Sequence, residues 1–434
     1  MATLGLRQLN TCDAEFDAEL VDLLSRSRVA DERVEAAVSE IIARVREAGD
    51  TALIELATSL DKFTCEKPGD LEVPRTEIES ASANLDQSVR RALGLAAERV
   101  RSFHQRQLEQ SWQYDDGDGN CLGQRVTPIE RVGIYVPGGK AAYPSSVLMN
   151  AIPASVAGVG EVIMAVPAPG GEVSSVVLAA AELAGVSRVF RIGGAQAIAA
   201  LAFGTQTVPK VDKIVGPGNA YVAAAKKQVY GQVGIDMIAG PSEVVIVCDD
   251  DANPDWVAMD LFAQAEHDEM AQAILVCPTQ VQIDRVQASM RTLIGTLARA
   301  DIIDQSIAAH GATILVQSLA EAINVVNRIA PEHLQLMVES PEALLPTIRH
   351  AGAIFCGYFS AEVLGDYCAG PSHVLPTTGT ARFSSPLGVY DFQKRSSLIM
   401  CSKKGAQHLA GIASILARSE GLDAHAGSAD RRSR

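Results

Sequence analysis

The chain has 434 residues, of which 47% are hydrophobic and 21% are charged, and its formal net charge is -15 at pH 7. This length predicts two or three domains, and the composition excludes a largely disordered chain. The excess of acidic residues argues against a protein that neutralises nucleic-acid phosphates or an anionic membrane surface.

The amino terminus and the cysteines indicate the compartment. Residues 1–13 lack a basic region followed by an apolar stretch, so we expect no signal peptide. No window reaches the ~20 apolar residues of a membrane span. The eight cysteines are scattered without a C-x-x-C pair, which excludes a cysteine-rich zinc knuckle and is typical of a reducing compartment. We therefore predict a cytoplasmic protein.

The hydrophobic pattern changes along the chain. From residue 13 to about 110 apolar residues recur at helical spacing, and residues 115–120 form a turn-rich break. From 131 onward short apolar runs alternate with helical stretches, which predicts parallel sheets with right-handed crossovers. After 380 the strand pattern is lost, and one helix at about 404–419 precedes a polar tail. We expect this tail to pack on another subunit.

The predicted fold is therefore α/β, with two doubly wound, incomplete Rossmann-like parallel-sheet domains plus extended N- and C-terminal segments. One of the two sheets is inserted into the sequence of the other. The predicted units are an N-terminal helical extension (1–30), a first α/β domain with most of the candidate ionisable residues (31–132 and 240–380), an inserted α/β domain (133–239) and a C-terminal tail (381–434).

Three glycine-containing loops each follow a predicted strand of the inserted domain, at 136–140, 193–196 and 216–219. In a parallel sheet all three lie at the carboxyl edge, where ligands bind and where backbone N–H groups at helix starts favour anions. Their position predicts a nucleotide site. No G-x-G-x-x-G motif opens any of these helices, so plain turns stay open as the alternative.

The polar end of a predicted helix that begins after Asn253 carries a candidate pair of metal ligands. Gln264 and His267 are three residues apart, so an amide oxygen and an imidazole nitrogen lie on one helix face and could share a cation. A solvated helix end is the alternative, because polar residues often occupy such positions.

Histidine lies near a carboxylate in three other places of the sequence. Glu332 and His333 are adjacent between a helix and a strand, where an extended backbone points them to opposite faces and lets them serve two different protons. Asp366 and His373 share a loop shaped by glycine and proline, and Glu420–His425 follows the last helix. A helix-terminal glutamate beside a packed histidine remains the simpler interpretation of the first pair.

Two other candidates have simpler interpretations. The run 249–251 of three aspartates comes before Asn253, where negative charge stabilises a helix amino terminus. Cys121 lies in a glycine-rich stretch, but no basic residue or histidine adjoins it to lower its pKa, so we interpret it as a bystander thiol.

Seven motifs in order along nearly the whole chain resemble the histidinol dehydrogenase family. They are GIYVPGG (133–139), VGPGNA (215–220), GPSE (240–243), QAEH (264–267), PEHL (331–334), HVLPT (373–377) and EGLDAH (420–425). Members of that family are NAD-dependent zinc enzymes. The resemblance makes the inserted domain the NAD side and the first domain the site of metal and acid/base residues.

The resemblance also implies roles for individual residues. Zinc, one ion per subunit, is held by Gln264, His267, Asp366 and His425. NAD contacts fall on Tyr135, Gln196 and Asn219. Substrate contacts fall on Ser242, His333, His373 and Glu420, besides the metal ligands. The resemblance further implies a homodimer in which the C-terminal tail, with His425, contributes to the partner's site, and no nucleic-acid or membrane partner.

The reaction of that family oxidises L-histidinol to L-histidine through L-histidinal, with two hydride transfers to NAD and water addition between them. The resemblance makes His333 the base for the alcohol proton and Glu332 the base that activates water. Zinc would mainly orient the imidazole and amine of the substrate. A cysteine thiohemiacetal is the competing route to the acid, and Cys121 has no activating neighbour in sequence.

Three alternatives remain open at this point. A relative with the same scaffold acts on another small alcohol, such as sulfopropanediol. A zinc hydrolase with Glu332 as base needs no nicotinamide and leaves the glycine loops unexplained. A non-enzymatic nucleotide-binding module predicts that Glu332→Gln changes no measurable property. NADH formation with histidinol separates the histidinol dehydrogenase interpretation from the last two alternatives.

Overall fold

The computed structural model describes residues 5–25, 32–138 and 142–433, so Gly139 and Lys140 of the first glycine loop lie outside the described residues. The strands within these ranges are β1 (Arg7–Asn10), β2 (Trp112–Asp115), β3 (Cys121–Pro128), β4 (Arg131–Tyr135), β5 (Glu161–Val166), β6 (Arg188–Arg191), β7 (Lys213–Val215), β8 (Gly234–Ile235), β9 (Glu243–Cys248), β10 (Gln272–Cys277), β11 (Ala312–Leu315), β12 (His333–Met337), β13 (Ala353–Cys356) and β14 (Gln393–Met400).

The α-helices within the same ranges are α1 (Phe16–Ser25), α2 (Glu32–Ala48), α3 (Asp50–Leu60), α4 (Arg75–Asn84), α5 (Gln87–Gln105), α6 (Pro144–Ala157), α7 (Ser175–Ala184), α8 (Gly194–Phe203), α9 (Ala220–Val229), α10 (Pro254–Ala265), α11 (Gln280–Leu293), α12 (Ala300–His310), α13 (Leu319–Ile329), α14 (Glu362–Leu364), α15 (Lys403–Ser419) and α16 (Asp423–Asp430). Helix α14 continues into a π-helical turn, Gly365–Ala369. Among these described helices, none combines the length and apolar character needed to cross a membrane.

The first parallel sheet has five strands in the order β6-β5-β4-β7-β8. Its strands are buried on both faces, as a sheet with helices on either side requires. Val132 and Ile134 of β4 pack with α5, α6 and α7 on one face, whereas Tyr135 packs with α2, α3, α8 and α9 on the other. The strand order changes direction between β4 and β7, so a crevice opens at their carboxyl ends.

The second parallel sheet has six strands in the order β1-β11-β10-β9-β12-β13. Helices α1 and α13 cover one face, and α10, α11 and α12 cover the other. Strands β9 and β12 lie side by side in the middle of this sheet, with His333 paired to Val244. The prediction of two doubly wound parallel sheets is therefore confirmed.

A third, antiparallel sheet has the order β14-β3-β2 and was not predicted. Strand β14 pairs with β3 along eight residues, although the sequence pattern after 380 predicted no strand. Its sequence, QKRSSLIM, does not alternate apolar and polar residues, because most of its side chains are partly or fully exposed. The C-terminal segment also contains two helices, α15 and α16, where the sequence predicted one.

The early part of the chain is distributed differently from the predicted units. Residues 31–132 were grouped with 240–380, but α2–α5 pack on the five-stranded sheet, of which β4 is a central strand. The predicted helical extension 1–30 contains β1, which forms the edge of the six-stranded sheet. An amphipathic helix shows which of its faces is buried but not which sheet it covers, which explains the difference.

Candidate active site

Helix α10 delivers Gln264 and His267 to the amino edge of the six-stranded sheet. The side chain of Asn253 caps the helix by accepting a hydrogen bond from the Asp255 N–H at 2.9 Å. The helix returns antiparallel to β9, so its last turn lies beside the beginning of β9 and β12. Gln264 is fully buried, whereas His267 is exposed on one side.

Glu332 and His333 lie where β12 begins, at the same edge. The His333 Nδ1–H donates to the backbone oxygen of Glu243 at 3.0 Å, and Glu332 Oε2 accepts from the Glu243 N–H at 2.9 Å. A carbonyl oxygen only accepts, so Nδ1 carries the proton and Nε2 of a neutral ring is free to act as a base. Ala330, two residues before Glu332, has a left-handed backbone with φ 54°.

The segment after β13 supplies the third part of the cluster. Asp366 Oδ1 lies 3.5 Å from His333 Nε2, and the backbone oxygen of Asp366 accepts from His373 Nδ1 at 2.9 Å. Glu362, one helical turn before Asp366, is buried, and its Oε1 lies 3.9 Å from His333 Nδ1. The segment therefore places two carboxylates and a second imidazole around His333.

This segment is also attached to the helices of the other sheet. Arg99 of α5 donates through Nε to the backbone oxygen of Cys368 at 2.7 Å. Ser372 Oγ donates to the backbone oxygen of Met149 in α6 at 3.4 Å. The loop from Asp366 to His373 thus contacts both α/β units.

Burial and mutual repulsion dominate the electrostatics of the carboxylates. Burial raises the pKa of Glu332 to about 8, against the opposing effect of His333. Burial likewise raises the pKa of Glu362 to about 8, with repulsion from Asp366 and Asp260 in the same direction. Both carboxyl groups therefore exchange protons near neutral pH, which suits a general base.

The pKa values of His333 and His267 shift in opposite directions. Burial alone lowers the pKa of His333, but Glu362, Glu332 and Asp366 outweigh it and raise that pKa well above its usual value. For His267 the surrounding protein atoms still desolvate the ring despite its exposed side, and this lowers its pKa. A low pKa keeps the His267 ring neutral, as a metal ligand must be.

The donors around His267 fit a divalent cation. One ligand atom from each of His267, Glu362 and Asp366 lies within 4.8 Å of the others. The amide oxygen of Gln264 points at the carboxylate of Glu362, and only a rotated amide gives a hydrogen bond there, at 2.8 Å to Oε1. Oxygen atoms that face one another in a buried site repel, and a cation between them would remove that repulsion. This set of N and O donors suits zinc.

The carboxyl edge of the five-stranded sheet holds the predicted cofactor residues. Tyr135 ends β4, and its hydroxyl oxygen accepts from the Gly194 N–H at 3.0 Å, while burial raises its pKa to about 12. Gln196 is almost fully buried beside it. Added Cβ atoms on Gly138 and Gly193 would both crowd Pro167, at 3.1 and 2.9 Å, so these loops converge. The predicted placement at the carboxyl edge is correct.

Two buried oxygen atoms at this edge have no hydrogen-bond partner among the described residues, Oδ2 of Asp61 and Oε1 of Gln196. Burial raises the pKa of Asp61, against the opposing effects of the Gly193 N–H and the Gln196 side chain. Buried polar atoms are nearly always hydrogen-bonded, so these two oxygens favour a ligand with hydroxyl or amide donors. A dinucleotide carries such groups.

Two predicted residues lie apart from the cluster within this chain. Glu420 ends α15 and His425 lies in α16, and both are exposed. The tail helices pack on each other, and Ser402 and His408 of the tail segment bond to Asp118 in the turn before β3. Ser242 lies directly before β9 and is half-buried.

The sequence patterns did not identify Glu362 or Asp61. Glu362 is a single carboxylate in an apolar context, and its signal is the spacing to Asp366, four residues later on one helical face. The bystander role of Cys121 stays a prediction; burial followed by repulsion from Asp115 raises its pKa, which does not favour a reactive thiolate. The aspartate run at 249–251 caps its own turn, since Asp249 Oδ1 accepts from the Asp251 and Ala252 N–H groups.

Glycine loops on one parallel sheet and a metal-capable acid/base cluster on another are typical of a metal-dependent α/β oxidoreductase. The comparisons with known proteins agree with an oxidoreductase. The family model described as histidinol dehydrogenase matches residues 24–433.

Curated relatives match the chain over nearly its full length. A histidinol dehydrogenase from Pseudomonas syringae pv. tomato is 60% identical over 99% of this chain and 96% of that protein. One from Chromobacterium violaceum is 60% identical over 98% of each. The crystal structure of histidinol dehydrogenase from Elizabethkingia anophelis superposes with a TM-score of 0.93, at 34% identity over 99% of this chain and 98% of that one. The chain belongs to the histidinol dehydrogenase family.

Proposed function

We propose that the chain catalyses the NAD-dependent oxidation of L-histidinol to L-histidine through L-histidinal, the last step of histidine biosynthesis. The reaction consumes one water and two NAD, and it yields two NADH. The observation that carries the proposal is the cluster of Glu332, His333, Glu362 and Asp366 beside His267, in a chain of this family.

His333 is the base for the alcohol in this proposal, and it acts through the neutral form of its ring, although the nearby carboxylates raise its pKa well above the usual value. Its Nδ1 is committed to the Glu243 backbone oxygen, so the proton of the substrate hydroxyl goes to Nε2. The hydride then leaves the alcohol carbon for the nicotinamide. The same nitrogen faces Asp366, which stabilises the imidazolium that forms.

Glu332 is the base for water in the second half of the reaction. An aldehyde has no hydride to give toward an acid until water has added to its carbonyl. With a pKa of about 8, the Glu332 carboxylate accepts the proton of that water more readily than an exposed glutamate does. The Glu243 N–H holds the carboxylate in place.

Gln264, His267 and Asp366 would hold the zinc ion, one per subunit, with Glu362 beside them. When bound, zinc orients the imidazole and the amine of the substrate and supplies positive charge at this edge. Ser242 and His373 line the proposed substrate site. His373 is kept neutral because burial lowers its pKa.

NAD would bind at the carboxyl edge of the five-stranded sheet, with contacts to Tyr135, Gln196 and Asn219. The support is the convergence of the glycine loops and the two unpartnered buried oxygens. The Asn219 side-chain oxygen caps α9 by accepting from the Tyr221 and Val222 N–H groups. Its amide nitrogen is therefore available as a donor.

The second copy of the chain would complete the site. In the proposed homodimer the tail of one subunit brings His425 to the partner's zinc and Glu420 to the substrate ammonium. The support is that both residues are exposed and that the tail presents the apolar side chains Leu409, Ile412, Ile415 and Leu416 to solvent. The cytoplasmic location stays a prediction of the sequence.

The test is the yield of NADH per L-histidinol consumed, before and after the metal is chelated. We expect two NADH per substrate, loss of activity on chelation and recovery with zinc. One NADH per substrate would remove the proposed role of Glu332. Turnover of sulfopropanediol with no NADH from histidinol would assign the chain the other small alcohol as its substrate. Metal-independent activity would reject the zinc site.

A further inference from the structure

A fully buried ion pair lies beneath the third glycine loop. The side chains of Lys226 in α9 and Asp236 after β8 are 2% and 1% exposed. Among the described pairs of a lysine or arginine with a carboxylate, no other has both side chains so deeply buried. Neither residue belongs to the proposed catalytic, metal or cofactor contacts.

Both charges are directed at one residue, Gly216. The Lys226 Nζ donates to the Gly216 backbone oxygen at 2.9 Å, and the Gly216 N–H donates to Asp236 Oδ2 at 2.8 Å. Gly216 has φ 113°, and a Cβ there would overlap the backbone oxygen of Tyr135. The turn is thus held from both sides and pressed against the end of β4.

Stability alone is a poor explanation for this arrangement. Desolvating two charges costs much of what their attraction returns, so apolar residues of similar size often serve as well in a core. What the pair adds is direction, since charge-assisted hydrogen bonds fix the backbone orientation of the turn more tightly than neutral ones. Three residues further on are Asn219 and the first turn of α9.

We propose that Lys226 and Asp236 are positioning residues for the dinucleotide, acting through Gly216. They hold the loop 216–219 so that the Asn219 amide nitrogen faces the cofactor. This inference rests on the proposed function, which assigns Asn219 to NAD. It predicts that the pair affects cofactor binding and leaves the histidinol site at the other sheet unchanged.

The test is the double variant K226M/D236N, which removes both charges and the donor to Gly216 but keeps an acceptor for its N–H. We expect the KM for NAD to rise about tenfold, the effect of losing one charge-assisted hydrogen bond. The kcat at saturating NAD and the KM for L-histidinol should stay within about twofold. The dissociation constant of NAD, measured by calorimetry, should rise with its KM.

Two further variants supply the comparison. K226Q/D236N is also neutral but restores an N–H donor toward Gly216, and it should recover most of the NAD affinity. K227M alters the neighbouring, exposed lysine, which pairs with Glu35 at 2.9 Å, and it should leave the KM for NAD within about twofold of the parent.

The inference is overturned if folded K226M/D236N melts at a lower temperature but binds NAD like the parent, since the pair would then be purely structural. D236N alone still loosens Lys226, and an unchanged KM for NAD in that variant would overturn the inference even if the double variant does not fold. N219S keeps the helix-capping oxygen but loses the amide donor. An unchanged KM for NAD in N219S would instead reject the cofactor assignment itself.

Discussion

The two parallel sheets present opposite edges to the proposed site. The five-stranded sheet offers its carboxyl edge, where loops after β4, β6 and β7 converge around Tyr135. The six-stranded sheet offers its amino edge, where β9 and β12 begin and where α10 ends. A parallel sheet usually binds ligands at its carboxyl edge, and only the first sheet follows that rule.

The difference follows from what each edge has to supply. Turns after strands expose backbone N–H groups, which suit the phosphates of a dinucleotide. Acid/base and metal chemistry needs side chains of fixed orientation, and the beginning of a buried strand fixes Glu332 and His333 through the Glu243 backbone. Two sheets in one chain therefore divide cofactor binding from proton transfer.

The largest expected effect tests the amino edge. H333N keeps an N–H that can donate to the Glu243 oxygen but has no titrating nitrogen. We expect kcat to fall by about 10²–10⁴-fold, the range for loss of a general base, with NAD affinity unchanged. Steady-state NADH formation and NAD calorimetry measure the two quantities. H350N, a histidine of the same unit outside the cluster, is the control, and equal activities of the two variants would contradict the assignment.

The next effect tests the carboxyl edge. G216A adds a Cβ that overlaps the Tyr135 backbone oxygen and strains a residue at φ 113°. We expect the free energy of unfolding to fall by about 3 kcal/mol, measured by urea denaturation. G231A, at φ 95° with open space around it, carries the backbone strain alone and should cost only about 1 kcal/mol. Equal losses would show that the loop yields to the added methyl group.

The smallest expected effect tests Glu362, the carboxylate that the sequence patterns did not identify. E362Q keeps the shape of the buried side chain but removes its negative charge beside His267 and Asp366. We expect the affinity for zinc to fall about 10–100-fold, as for other residues that support metal ligands. Competition with a chromophoric chelator measures it. E342Q changes an exposed glutamate beyond the other end of β12 and should match the parent protein.

The sequence predicted those parts of the candidate site whose residues lie close together in the chain. The cap and apolar face of α10 placed Gln264 and His267, and adjacency alone placed Glu332 beside His333. Glu362 was missed because its only local signal is the four-residue spacing to Asp366, and that spacing does not show that the fold brings both carboxylates to His267. Strands β1 and β14 were missed for a related reason, since their partners lie hundreds of residues away.

The positions of Glu420 and His425 illustrate a further limit. The spacing EGLDAH marked them as candidates, and the structure of one chain leaves them exposed and away from the cluster. A residue whose role depends on a second molecule has no local pattern that states where it acts. Their assignment therefore depends on the proposed second copy of the chain.

The pairing of β1 with β11 sets an order of events during synthesis. Residues 7–10 leave the ribosome before their hydrogen-bonding partners, residues 312–315, which follow about 300 residues later. At roughly 5–20 residues per second this delay is on the order of 15–60 s. Residues 32–235 contain the whole five-stranded sheet and its helices, so that sheet can form before residues 312–315 are synthesised. We expect the six-stranded sheet, which carries the acid/base residues, to finish folding last.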